Sequence, residues 1–239
     1  MILIIGQGFI GSSIAAFMTG KARKLVSHTD DWRTLIATLS PSLVVNAAGI
    51  VGQKKCNAAG WDATLAANVD FAREVAETAL NYKSQCLLFS TGAVYAKPNS
   101  TPKPEHAELS KIDNPYVQSK IQMEVAVKDM DVIVFRIPSV VGAGYHKWDY
   151  LNRIRECMWV EDCYTSLLGM STLYQAIGHV NQHKVSGIFN IADPGFVHIP
   201  SYVKQHYKEL PVRQDDQMPE NYALAHILDT TKAQLAGIL

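Results

Sequence analysis

Tyr116 and Lys120 stand four residues apart, a spacing that puts a phenol and an ammonium on one face of a helix. Ser90 and Thr91 precede them by about one loop-and-helix unit. Near the start of the chain, Gly6-Gln7-Gly8-Phe9-Ile10-Gly11 follows a short apolar run. These residue types could serve hydride transfer beside a bound dinucleotide: a phenol to move a proton, a hydroxyl to orient a carbonyl, and glycines that let backbone approach a pyrophosphate. The tyrosine–lysine pair alone says little, because a chain of this composition gives roughly 0.6 such pairs by chance. The order of the three pieces carries the information.

Each piece has a physical role. Gly6 permits a tight turn, Gly8 a close approach of backbone to phosphate, and Gly11 close packing of helix on strand. The helix that follows would present backbone N–H groups and partial positive charge to the phosphates. An acidic residue near the end of the second strand would bind an adenosine ribose. Asp30 fits, but His28 sits closer to the strand end, with Lys24 and Arg33 nearby, and these could face a 2′-phosphate. Asp30 could equally cap the helix that starts at Trp32. The choice between NAD and NADP therefore stays open. A free phenol has a pKa of about 10. An ammonium at about 4 Å, in an effective dielectric near 20, would lower that by up to about three units before desolvation. Lys120 is expected to act on Tyr116 in this way, and Thr91 to hydrogen-bond the substrate carbonyl.

The elements that must position these groups follow from hydrophobic periodicity. Strands are expected at 1–5, 23–28, 43–46, 86–90 and 132–136, and helices at 9–18, 32–39, 61–81 and 116–127. Strand–helix alternation predicts a Rossmann-type doubly wound parallel sheet, an α/β fold. After Pro138 the rhythm changes, with helical stretches at 150–158, 171–183 and 200–207. The expected organisation is a dinucleotide-binding domain over 1–142 and a small substrate-side lobe over 143–239, with 187–192 returning to the main sheet.

Composition narrows the function classes. Lys and Arg total 22, as do Asp and Glu, so no basic face invites nucleic acid or an anionic membrane. Cys56, Cys86, Cys157 and Cys163 form no C-x-x-C pair and no metal spacing, so no metal is expected and reduced thiols in the cytoplasm are. The first twenty residues are uncharged, but the positive residues Lys21, Arg23 and Lys24 follow them rather than precede them, and three glycines interrupt them. A buried strand, turn and helix explain the stretch better than a signal peptide.

Phe89-Ser90-Thr91-Gly92-Ala93-Val94-Tyr95 and Pro115-Tyr116-Val117-Gln118-Ser119-Lys120 resemble the signatures of the extended short-chain dehydrogenase/reductase family. Val45-Asn46-Ala47-Ala48-Gly49, Asn68 and Arg136-Ile137-Pro138-Ser139-Val140-Val141-Gly142 fit the same pattern. Residues 162–177 and 187–196 resemble the C-terminal part of dTDP-4-dehydrorhamnose reductases. The resemblance implies that Thr91, Tyr116 and Lys120 are the catalytic set. It assigns Gly6, Gly8, Phe9, Ile10 and Gly11 to the pyrophosphate, and Ala47, Ala48 and Gly49 to the flank of the cofactor. Asn68 and Ser90 join the cofactor site, and Pro138 and Ser139 pack near the nicotinamide. In two respects the chain departs from the pattern. Its glycine turn is one residue shorter than G-x-x-G-x-x-G, and it is shorter than typical members after the second strand and in the lobe.

The expected activity is reduction of a keto sugar carried on a nucleotide, with hydride from NAD or NADP and a proton from Tyr116. Epimerisation is the nearest alternative. Dehydration would need an acid/base pair beside the threonine, where Gly92 and Ala93 stand. A regulatory subunit that binds a dinucleotide without sugar chemistry is the alternative from another class. A homodimer is compatible with each. Tyr95, Tyr145, His146, Trp148, Arg153 and Arg155 are candidate substrate contacts, arginine being suited to phosphate. Trp159, between Met158 and Val160, is expected in the core.

Overall fold

The structure is a computed structural model that describes residues 1–18, 23–97, 101–142, 149–214, 217 and 225–239. The candidate contacts Tyr145, His146 and Trp148 lie outside the described residues.

The first half alternates as the apolar runs require. Strand β1 (Ile2–Ile5) leads to α1 (Phe9–Phe17), β2 (Arg23–Val26), α2 (Trp32–Leu39) and β3 (Leu43–Asn46). Two short helices, α3 (Gln53–Ala59) and α4 (Trp61–Leu65), precede a π-helical segment at Ala66–Asp70 and then α5 (Phe71–Asn81). Strand β4 (Gln85–Thr91) ends in a 3-10 turn at Gly92–Val94, and α6 (Pro115–Ala126) leads to β5 (Ile133–Ile137) and β6 (Ser139–Val141). The second half holds α7 (Tyr150–Ile154), β7 (Val160–Glu161), β8 (Tyr164–Thr165), β9 (Leu167–Gly169), α8 (Met170–Gln182) and β10 (Gly187–Asn190). It closes with β11 (Val197–His198), α9 (Ile199–His206), β12 (Val212–Arg213) and α10 (Thr231–Leu235).

Six parallel strands form the main sheet in the order β10-β5-β4-β3-β1-β2. One strand fewer stands outside β1 than in the 3-2-1-4-5-6 arrangement, as in the other common doubly wound order. Connections leave β1 in one direction to β2 and then cross back to β3, so the topological switch lies between β1 and β3. A crevice at such a point, at the carboxyl ends of the strands, is where open α/β sheets bind ligands. The ends of β1, β3, β4 and β5 put the glycine turn, Asn46–Gly49, Thr91 and Pro138 along one edge.

Side chains alternate between the two faces of the sheet. Ile2, Ile4, Leu43, Val45, Leu87, Ile133 and Phe135 pack with α1, α8 and α10, whereas Leu3, Ile5, Val44, Cys86, Leu88, Val132 and Val134 pack with α2, α5 and α6. Burying each of these Val, Leu, Ile and Phe side chains is worth about 1.5–3 kcal/mol. The return of the late chain to the sheet is wider than one strand. Besides β10, α8 brings Leu173, Ala176, Ile177 and Val180, and Ala233 and Ile238 come from the C-terminus. The lobe proper keeps a small core of its own around Tyr150, Ile154, Val160, Ile199 and Val203.

Local chemistry accounts for the elements that depart from expectation. The single helix expected over 61–81 has a π-helical turn in its middle, where Asn68 makes long-range hydrogen bonds. The second strand stops at Val26 because Asp30 folds back to accept from Ser27 N at 2.7 Å. The helix at Trp32 is capped by Asp31, which accepts from Thr34 N, so Asp30 is not its cap. Among the described residues no helix is long and apolar enough to cross a membrane, and no group of three metal-ligating side chains occurs.

Candidate functional site

The three glycines of the first turn differ in what requires them. Gly6 has φ of 110°, and a Cβ there would stand 2.5 Å from Ala48 N. At Gly11 a Cβ would stand 1.9 Å from Gly6 O. Both glycines are demanded by the fold itself. Gly8 has an ordinary φ of −74°, and a Cβ there would meet nothing within 4 Å. Packing does not ask for glycine at Gly8, so its glycine keeps a space open at the N-terminus of α1. That helix has no side-chain cap and no acidic residue in its first turn. An open space, backbone N–H groups and uncompensated helix charge fit a pyrophosphate. Phe9 and Ile10 open the helix, both partly buried, and pack against the core.

On the other side of the switch, Ala48 N donates to Asn46 Oδ1 at 3.0 Å, and Gly49 takes φ of 149°. Asn68 then pins Ile50. Its Oδ1 accepts from Ile50 N at 2.8 Å, while Nδ2 donates to Ile50 O and to Ser119 Oγ, each at 2.9 Å. Ser119 in turn donates to Tyr116 O at 2.9 Å. The π turn, a device common at functional sites, delivers an amide that ties the loop after β3 to the helix bearing Tyr116. Asn68 is thus buried between two elements of the site, and its amide is spent on protein partners.

Helix α6 starts where it does because Asn114 caps it and Pro115 occupies the first turn. Asn114 Oδ1 accepts from Tyr116 N at 3.0 Å and Val117 N at 3.2 Å. An N-cap amide followed by proline at N1 satisfies the free N–H groups and presets the first φ. This places Tyr116 in the first turn, half-buried beside Thr91. Thr91 Oγ1 accepts from Ala93 N at 3.2 Å, which leaves its proton for the phenol oxygen. Burial pushes the Tyr116 phenol above its ordinary pKa; the Thr91 hydroxyl pulls it partly back, the Cys56 thiol pushes it up, and Arg153 pulls it down. Lys120 is buried, and its Nζ donates to Phe89 O at 2.8 Å. Desolvation lowers its pKa to about 8, opposed by Cys56 and Glu124.

This corrects the expected division of labour. Lys120 is not among the groups that shift Tyr116, and the phenol is raised rather than lowered. The ammonium is engaged by the β4 carbonyl, and desolvation of the phenol outweighs the polar contacts it has. A phenol in this state holds its proton at neutral pH.

Other expected residues fall differently. Ser90 is buried under α6 and donates to Glu124 Oε1 at 2.5 Å. Tyr95 is not a substrate contact: it is 2% exposed, with its hydroxyl donating to Asn190 Oδ1 at 2.7 Å and accepting from Arg136 Nη1 at 2.8 Å. Arg153 and Arg155 are exposed on and after α7, and only Arg153 acts on Tyr116. Trp159 is half-buried, with the Arg213 guanidinium 4.5 Å from its ring centroid. At the end of β2, His28 is exposed and edge-on to Phe71, Lys24 is exposed, and Arg33 is salt-bridged to Glu74. Pro138 and Ser139 are half-buried at the junction of β5 and β6.

Sequence reasoning missed Asn114, Cys56 and the buried pair Glu124–Arg136. Glu124 was legible as the next i+4 position after Tyr116 and Lys120. A lone arginine in the apolar strand 133–137 also announces a buried partner, because removing one member of such a pair costs about 3–5 kcal/mol. Nothing in the local sequence points Cys56 toward Tyr116.

The chain matches the NAD dependent epimerase/dehydratase family over residues 2–162. Among curated proteins no sequence matches it. Its fold is that of several solved structures. The UDP-rhamnose synthase of Acanthamoeba polyphaga mimivirus superposes with a TM-score of 0.85 at 16% identity, covering 99% of this chain and 93% of the other. The dTDP-4-dehydrorhamnose reductase of Bacillus anthracis, solved with NADP, gives 0.79 at 17% identity, covering 100% and 93%. The Bordetella bronchiseptica enzyme WbmG, solved with NAD and UDP, gives 0.75 at 21%, covering 98% and 87%.

Proposed function

The chain belongs to the NAD dependent epimerase/dehydratase family, and from that premise we propose that it is an NAD(P)-dependent reductase of a keto sugar attached to a nucleotide. The observation that carries the proposal is the contact between Thr91 and a Tyr116 phenol that holds its proton. A group raised above its ordinary pKa suits the donor in a reduction, where the carbonyl oxygen must receive a proton as it gains charge.

In this account the nicotinamide, when bound, supplies a hydride to the substrate carbonyl carbon. Tyr116 donates its proton to the oxygen. Thr91 donates a hydrogen bond to the same oxygen once its proton turns from the phenol. Lys120 holds positive charge under the site and would grip the cofactor ribose once that is bound. Gly8 and the N-terminus of α1 receive the pyrophosphate, with Ala47, Ala48 and Gly49 alongside. Asn68 holds the cofactor loop against α6, and Pro138 and Ser139 close the nicotinamide side. Arg153, exposed yet acting on Tyr116, would meet the substrate's phosphates. The residues after β2 select neither NAD nor NADP: Asp30 is turned to its own loop, and Arg33 is engaged with Glu74.

Dehydration is disfavoured at one position. A Cβ on Gly92 would come 3.1 Å from Leu228 Cδ2, so the residue after Thr91 has little room for an acid/base side chain. The four free cysteines, two of them with no exposure at all, suit a reducing compartment such as the cytoplasm. Thermal-shift measurements with nucleotide sugars, each with and without NAD(P), test the binding half of the proposal, since a ligand near 100 times its Kd adds about 2.7 kcal/mol. Stabilisation by a dinucleotide and further by a nucleotide sugar is the expected result. Stabilisation by neither would overturn it.

A further inference from the structure

Beneath the site, three elements meet at one buried carboxylate. Glu124 lies on α6 one turn beyond Lys120 and is 3% exposed. Its Oε1 accepts from Ser90 Oγ at 2.5 Å and from Arg136 Nε at 2.9 Å, and its Oε2 accepts from Arg136 Nη2 at 2.5 Å. Ser90 precedes Thr91 on β4, and Arg136 stands two residues before Pro138 on β5. Arg136 Nη1 continues outward to Tyr95 Oη and to Glu105 O at 2.9 Å, and Tyr95 reaches Asn190 on β10. Strand β4, which ends in Thr91, strand β5, which leads to Pro138, and the helix bearing Tyr116 and Lys120 are therefore joined through a single side chain.

We propose that Glu124 is a positioning residue for the Tyr116–Lys120 pair, fixing α6 on β4 and β5 while placing a negative charge one turn below the Lys120 ammonium. The proposal rests on the reductase reading only for its catalytic consequence. The buried Arg136 already calls for an anion on structural grounds; the positioning role adds an effect of that charge on Lys120. Charge matters because Lys120 is desolvated. The titratable groups acting on it are Cys56 from α3 and Glu124 from its own helix, and both favour the charged ammonium. Arg136 from β5 faces Glu124 and pairs with its carboxylate through Nε and Nη2. Of the two groups supporting Lys120, Glu124 is the one paired with a cation, whereas burial raises the Cys56 thiol above its usual range. Glu124 thus offsets part of the desolvation that would otherwise discharge the lysine near neutral pH.

The test is the titration of Lys120 in the apo protein, followed by NMR on lysine-labelled material with the signal assigned through Lys120→Arg. In the wild type the midpoint is expected at about 8. Glu124→Gln keeps the shape and one acceptor, and should move the midpoint down by about one unit. Glu124→Gln/Arg136→Gln removes both charges, avoids leaving an unpaired arginine, and should move it down by less. Should the single variant fail to fold, the double variant carries the measurement. Glu124→Asp, which keeps the charge, should restore part of the shift. A Lys120 that titrates as in the wild type after Glu124 is neutralised overturns the proposal. The same variants, assayed with NAD(P)H and a keto nucleotide sugar, should lose rate at lower pH than the wild type. If the titration moves but no keto sugar is reduced, the reductase reading fails and the placement of Glu124 stands. If reduction proceeds with an unmoved titration, the reverse holds.

Discussion

The sheet half and the C-terminal lobe are built by different rules. In the sheet half, seven-residue β4 and twelve-residue α6 carry Thr91, Tyr116 and Lys120 on regular backbone braced by two large apolar layers. In the lobe, β7, β8, β11 and β12 have two residues each and are joined by long-range ties such as His198 Nε2 to Asp162 Oδ1 at 2.7 Å. Only Arg153 of the lobe's described residues acts on Tyr116. The contrast suggests that chemistry is set on the rigid half, while the lobe shapes what is admitted. Placing reacting groups on regular elements keeps their geometry within the tolerance that hydride and proton transfer demand.

Four sets of substitutions sharpen or break that contrast. The largest effect is expected at Tyr116. Tyr116→Phe should lower kcat by about 10²–10⁴ without changing dinucleotide affinity or melting temperature. Steady-state kinetics with a confirmed substrate check this, and retention of most activity would remove the phenol from the mechanism.

The glycine turn gives a paired prediction. Gly8→Val should abolish dinucleotide binding in a protein that melts like the wild type, since a Cβ there meets no protein atom within 4 Å. Gly11→Ala should unfold at lower temperature, because its Cβ would strike Gly6 O. Calorimetric titration and melting curves read the two effects apart. Normal affinity in Gly8→Val would place the pyrophosphate elsewhere.

Lys120 should show function held at the expense of stability. Its folded pKa, about 8, lies below the ordinary 10.5. Between those values the unfolded chain binds more protons, so the wild type gains stability as pH rises through that window. Lys120→Met removes the buried ammonium and should be more stable at pH 7, by up to about 3 kcal/mol, with the advantage shrinking toward pH 10. Denaturant melts at several pH values decide it; a less stable variant at pH 7 would show that the hydrogen bond to Phe89 outweighs desolvation.

The smallest effect belongs to the lobe. His198→Ala should cost about 0.5–1.5 kcal/mol through lost bonds to Asp162 and Ser201, and leave dinucleotide affinity untouched. A large loss of affinity would mean that the lobe and the sheet half are coupled.

Legibility in the sequence divides along the same line. Apolar runs such as 2–5 and 43–46 announce buried parallel strands, and the Gly6–Gly11 spacing announces the turn, because their causes are local. The helix at 53–59 escaped notice because its sequence has no apolar stripe, only Cys56 buried. The interruption at Asn68 is invisible locally, since the hydrogen bonds that reward it reach Ile50 and Ser119. Tyr95 looked like a ligand contact beside Thr91, but its burial depends on Asn190 and Arg136, distant in sequence. The state of Tyr116 was misjudged for the same reason: spacing puts Lys120 on its face, whereas tertiary packing commits that ammonium to Phe89.

The most direct test of the central claim is stopped-flow absorbance of NAD(P)H mixed with a panel of keto nucleotide sugars, using the wild type and Thr91→Ala. The account predicts that the wild type consumes NAD(P)H with at least one such sugar, and that Thr91→Ala slows this step by about 10²–10³ with cofactor affinity intact. A wild type that binds the dinucleotide yet leaves NAD(P)H unchanged across the whole panel would contradict it and favour a regulatory subunit.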